Sequence, residues 1–156
     1  MKIILFNMGR TQETYLKEGI ALYEKRIRHY IPYDTLYLTE PKSTGNQPEI
    51  QRENEGRVLL AALKQVDLPV LLDERGKSMS SSDFATYLQL AMNKGKKSMG
   101  FVIGGPFGFS NQVYQSVPEL ISLSAMTFPH QLIRLIFLEQ LYRAFTIIRG
   151  ESYHHA

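Results

Sequence analysis

The chain has no cysteine in its 156 residues. That excludes disulfides, thiolate catalysis and cysteine-bound zinc or iron–sulfur centres. No apolar run reaches the ~18 residues that suggest a membrane span. The opening MKIILFNMGRTQE has too short an apolar core and no small-residue cleavage site, so it is expected to be a strand rather than a signal peptide. A cytoplasmic location is the matching expectation. There is no internal repeat, low-complexity segment or linker. The scattered histidines and acidic residues lack metal-ligand spacing, so no metal is expected. Ile103-Gly104-Gly105-Pro106 lacks the G-x-G-x-x-G spacing of a dinucleotide fingerprint. Gly76-Lys77-Ser78 lacks the upstream glycine of a P-loop.

What is present points to one domain over residues 1–156. The hydrophobic fraction is 44% and the charged fraction 21%, ordinary for a globular protein. A net charge of +3 and a pI of about 9.1 suit a protein that meets RNA without demanding it. Apolar runs at 2–7, 33–39, 69–72, 101–103 and 120–123 are expected strands. Helical periodicity follows most of them: Leu16, Ile20, Tyr23 and Ile27, then Val58, Leu59, Ala62 and Leu63, then Phe84, Leu88 and Met92. Pro48 suits a helix start, Ser80 with Asp83 a capping box, and Gly95 a helix end. The polar stretch Glu49 to Arg57 is expected to be mobile, and residues 41–48 form the most loop-like segment. Alternating strands and helices predict an α/β fold with a mostly parallel sheet and helices on both faces.

The functional signal lies between Met99 and Arg149. One buried strand ends in Gly104-Gly105-Pro106-Phe107-Gly108, another in Ser124-Ala125-Met126-Thr127-Phe128-Pro129-His130. Ligands of open α/β sheets bind at the carboxyl ends of strands. Glycines there permit close backbone approach or positive φ. Backbone groups of the two loops can read an adenine edge, and Leu72, Met126 and Phe128 can sandwich its ring. The helix after His130 is apolar nearly all round, which predicts cover by a partner subunit, most simply a two-fold homodimer. On its polar edge Glu139 and Arg143 are spaced to pair. His130 is expected to cap this helix. Arg134 is expected as a phosphate contact or a surface charge.

IGGPxG, LSxMTxPHQLxR and EQLYRAxxIxxGExYHH, taken together with the length, resemble the RlmH-type methyltransferases of the SPOUT superfamily. The resemblance covers the whole chain, most strongly from Phe101 onward. It implies a deep C-terminal trefoil knot and an obligate homodimer whose active site uses both subunits. The implied activity is methylation of N3 of a pseudouridine in large-subunit 23S ribosomal RNA, in the assembled ribosome, with S-adenosylmethionine as cofactor. It implies cofactor contact for Leu72, Gly105, Ser124, Ala125, Met126, Thr127, Phe128 and Pro129. It implies catalytic roles for His130, Arg143, Tyr153 and His154, with His154 and His130 both open as the base. Where the family continues Tyr-His with Arg or Lys, this chain has His155 and then Ala156. Alternatives remain at this point: another RNA nucleotide as acceptor, a non-catalytic dimeric RNA- or nucleotide-binding module, or an enzyme cradling ATP on the Gly-Gly-Pro loop.

Overall fold

Ile3-Ile4-Leu5-Phe6 is apolar at every position, so a strand made of it needs cover on both faces. In the computed structural model it has that cover. The structure describes residues 1–42 and 45–155; residues 43 and 44 of the expected loop, and Ala156 of the expected tail, lie outside the described residues. In chain order the elements are β1 (Lys2–Met8), α1 (Thr14–Ile27), β2 (Tyr33–Leu38), α2 (Pro48–Leu63), β3 (Leu68–Ser78), α3 (Ser81–Met92), β4 (Ser98–Ile103), α4 (Asn111–Ser116), β5 (Leu120–Ser122) and α5 (Leu132–Ile148).

The strands form one sheet in the order β2-β1-β4-β3-β5, and every pairing is parallel. Side chains alternate across it. Ile3, Leu5, Phe101 and Val70 pack under α1, α3 and α5. Ile4, Phe6, Val102 and Leu71 pack under α2 and α4. The expected helices on both faces are therefore present.

The local signals act as their chemistry demands. Ser80 accepts from the Asp83 N–H while the Asp83 carboxylate accepts from the Ser80 N–H, closing the capping box of α3. Pro48 stands in the first turn of α2. Three expectations need correction. Glu49 to Arg57 is regular helix, with Glu55 buried against the Gly105 backbone and Gly56 against Ser110 and Val113. β3 does not end at Leu72. It continues through the charged run to Ser78, with a register break after which Lys77 takes the Ile121 pairing that Leu72 also makes. Gly76 allows this: a Cβ there would lie 2.5 Å from the Ile121 backbone nitrogen. Third, the N-cap of α5 is Gln131, without a side-chain cap bond, and His130 stands one residue outside, in the turn where the Ile133 N–H reaches the Pro129 carbonyl.

The all-round apolarity of α5 is met largely within the chain. Phe137, Leu138, Leu141 and Ala144 are fully buried, and the helix packs against both α1 and α3. Leu132, Ile133, Ile136, Gln140 and Arg143 stay half-buried along one stripe. Arg134 is 1% exposed. Its guanidinium donates to the Met8 carbonyl at 2.8 Å and the Thr11 hydroxyl at 3.1 Å. It ties α5 to the turn after β1 and is not the surface cation expected from sequence, because α5 lies against that turn rather than over solvent.

Candidate active site

The sheet order brings the carboxyl ends of β4, β3 and β5 side by side. Leu72 pairs with Ile103 on one side and Ile121 on the other. It therefore sits between the two loops singled out in the sequence. A cleft of about 780 Å³, open mouth included, lies over these ends. Its lining includes Leu72, Gly104, Gly105, Ser124, Met126, Thr127, Phe128 and His130. Of the residues expected to touch a cofactor, Ala125 and Pro129 belong to the same loop but are not among those lining the cleft. The size suits a nucleoside-sized ligand.

Both loops are held by their own hydrogen bonds. The Gly108 N–H donates to the Gly105 carbonyl, and Gly108 has φ +76°, a conformation open to glycine. The Ser122 hydroxyl donates to the Ser124 carbonyl, and the Ser124 hydroxyl accepts from the Met126 N–H. That leaves the Met126 side chain 77% exposed, an apolar surface at the cleft mouth. Tyr114 donates to Asp73 at 2.5 Å, which ties the middle of β3 to α4. Nothing in the sequence pattern connected those two residues.

Charge in the cleft is one-sided. Asp73 and Glu74 line it, and among the described residues no lysine or arginine does. A wall with carboxylates and no cation disfavours a polyphosphate and favours a ligand carrying positive charge. The donor set fits S-adenosylmethionine: glycine backbone and an apolar loop for adenosine, carboxylates for a cationic sulfonium. Burial, and secondarily the nearby Arg134 charge, push His130 below the usual histidine range. Its ring is neutral near pH 7 and able to accept a proton.

The other expected catalytic residues assemble elsewhere. Arg143 binds Glu139 at 2.5 Å. Tyr153 donates to the same carboxylate at 3.1 Å and lies 3.4 Å from the Tyr23 hydroxyl. The Arg143 guanidinium stands 4.9 Å from the Tyr153 ring centre. Burial first, then the Tyr23 and Glu139 contacts, push the Tyr153 phenol upward, so it stays a neutral donor. Both ring nitrogens of His154 are buried without a hydrogen-bond partner among the described residues. From Leu132 to Arg143 the helix rises about 16 Å. The expected residues therefore divide into two groups: His130 at the cleft, and Arg143 with Tyr153 where α1, α5 and the tail meet. Tyr23 and Glu139 complete the second cluster. Tyr23 was legible only as a helix-face residue.

The overall α/β fold is shared by two solved structures. A "probable methyltransferase" from Bordetella pertussis superposes with a TM-score of 0.55 at 13% identity, covering 92% of this chain and 95% of that one. A "probable methylase family protein" from Haemophilus influenzae gives 0.51 at 11% identity, covering 96% of this chain and 66% of that one. At the sequence level, the model of the family described as "Predicted SPOUT methyltransferase" matches residues 1–154, and the chain belongs to that family. Relatives bearing the name "Ribosomal RNA large subunit methyltransferase H" include one from Parabacteroides distasonis, 49% identical over 99% of both chains. Another, from Cytophaga hutchinsonii, is 46% identical over 99% of this chain and 100% of its own.

Proposed function

We propose that this protein is a large-subunit ribosomal RNA methyltransferase, carrying a methyl group from S-adenosylmethionine to N3 of a pseudouridine in the assembled ribosome. The observation that carries the reading is the carboxylate-lined, cation-free cleft between the Gly-Gly-Pro and Ser124–Pro129 loops, in a chain nearly half identical to proteins named for that RNA. The same lining argues against ATP as the ligand.

The cofactor, when bound, supplies an electrophilic methyl group on a sulfonium. The chain's residues then have three tasks. The loops and Leu72 hold the adenosine and set the direction of attack. A neutral histidine, His130 or His154, takes the N3 proton, since the anion is the competent nucleophile. Arg143, oriented by Glu139, offsets charge developing on the adjacent carbonyl oxygen, and Tyr153, donating to Glu139, helps to hold that pair in place.

Arg143, Tyr153 and His154 do not line the cleft of their own chain, which favours a two-fold homodimer in which the tail of one copy closes over the cleft of the other. The half-buried stripe on α5 supplies its contact face. A C-terminal trefoil knot is the fold variant that accompanies this reading. The test is methyl transfer from labelled S-adenosylmethionine to ribosomes lacking the modification, with separated large subunits and free RNA in parallel. N3-methylated pseudouridine formed on intact ribosomes is the expected product. Transfer to another nucleotide, or to none despite cofactor binding, overturns the acceptor assignment.

A further inference from the structure

Glu55 is a buried carboxyl that the mechanism above does not use. It lies on α2, on the sheet face opposite α5. It is 6% exposed. Its single hydrogen bond is from the Gln51 amide at 2.9 Å, and no ion pair reaches it among the described residues. Arg52 borders the same chamber without neutralising it. An isolated buried carboxyl is unfavourable for folding, so its location calls for a reason.

The location is the back of the cofactor cleft. The chamber holding Glu55 and the cleft share Ile103, Gly104, Gly105, Gly108 and Phe109 as a common wall. At Gly105 that wall is bare backbone. A Cβ on Gly105 would stand 2.7 Å from one Glu55 oxygen and 2.9 Å from the other. The carboxyl therefore packs against the bare Gly105 backbone of the shared wall. A charge so placed acts through protein rather than water, where its field is stronger. The front of the cleft already carries Asp73 and Glu74.

We infer that Glu55 is an electrostatic selectivity residue, which favours the cationic methyl donor over its neutral demethylated product. S-adenosylmethionine carries one more positive charge than S-adenosylhomocysteine, and the two are otherwise nearly the same shape. In its ionised form this carboxyl stabilises the donor and not the product, and the bound cation in turn favours the ionised form. It thereby promotes exchange after each turnover. This rests on the cofactor assignment made above.

The test is calorimetric binding of both ligands at pH 8.5 to the full-length protein and to Glu55→Gln and Glu55→Met. Glu55→Gln keeps the shape and the Gln51 contact but loses the charge; Glu55→Met keeps the bulk alone. Donor affinity is expected to fall about three- to tenfold in both variants. Product affinity should stay within about twofold of the wild type, the level of an ordinary neutral substitution. A purely mechanical buttress predicts instead that Glu55→Gln changes neither ligand, or that both ligands weaken together. Either result overturns the inference and leaves the cofactor assignment standing. A wild-type protein that binds neither ligand overturns both. Thermal unfolding of each variant, run alongside, identifies a misfolded sample, and the retained product affinity of Glu55→Gln serves as the internal check of an intact cleft.

Discussion

Replacing Gly76 by alanine tests how β3 and β5 together hold the cleft. The added Cβ would meet three backbone atoms: the Ile121 nitrogen at 2.5 Å, and the carbonyl carbons of Ile121 and Leu120 at 2.6 Å. Backbone atoms cannot rotate aside as side chains do, so β5 must move by roughly 1 Å relative to β3 to restore van der Waals contact. Overpacking of this kind costs about 1–3 kcal/mol, and the rigid backbone neighbour places Gly76→Ala at the upper end. For a chain of this length each kcal/mol lowers Tm by about 2–4 °C, so the expected loss is about 6–12 °C. Gly100→Ala is the matched control, because its Cβ would meet the Phe6 ring edge at 2.9 Å and the Val66 methyls at 3.0–3.1 Å. Those side chains can give way, and the expected loss is about 2–4 °C. Scanning calorimetry of both variants measures the difference. Because β5 leads directly into the Ser124–Pro129 loop, Gly76→Ala should also weaken S-adenosylmethionine binding at 15 °C, where it remains folded. A Gly76→Ala protein melting with the wild type, or above Gly100→Ala, refutes the reasoning.

Tyr153→Phe and His154→Ala should each lower methyl transfer by about 100-fold or more while leaving donor affinity within twofold, measured by single-turnover assay and calorimetry; equal loss of binding would place the tail in the cofactor site instead. Arg134→Met should destabilise the chain by about 1–3 kcal/mol in urea unfolding, since the Met8 carbonyl and Thr11 hydroxyl lose their buried donor; a neutral result would mean that water replaces the guanidinium. Glu55 makes stability pH-dependent. Burial raises its carboxyl above the ordinary range in the folded state, so the native state holds that proton more tightly than the unfolded chain. This contribution is present below the unfolded pKa and is lost as pH rises through the raised value. Glu55→Gln should therefore gain stability relative to wild type as pH rises above the ordinary carboxylate range, read from urea midpoints; a pH-independent difference contradicts the buried placement.

The sequence made the strands and helices legible because apolar runs and 3.6-residue periodicity report burial directly. It made the two loops that line the cleft legible because glycine and small residues at strand ends carry a specific backbone meaning. The strand order was not legible, since parallel strands like these share one composition. Nor was the length of β3. Asp73-Glu74-Arg75-Gly76-Lys77 has the composition of a loop, and only the approach of β5 to Gly76 makes it a strand. Arg134 and Glu55 were misplaced or missed for one reason: a charged residue in a helix gives no signal of which way it faces. The division of the expected catalytic set into two clusters was likewise invisible, because spacing along a sequence does not reveal that a helix separates its two ends by several turns.

The central claim is that the two-loop cleft holds the methyl donor and that the tail cluster of a second protomer completes it. A crystal structure of the full chain with S-adenosylhomocysteine tests it most directly. The account predicts adenine between Leu72 and the Met126–Phe128 segment, with Tyr153 and His154 of the neighbouring copy over the same cleft. A ligand bound away from the Gly104–Gly108 loop, or a dimer that leaves both tails remote from both clefts, contradicts it.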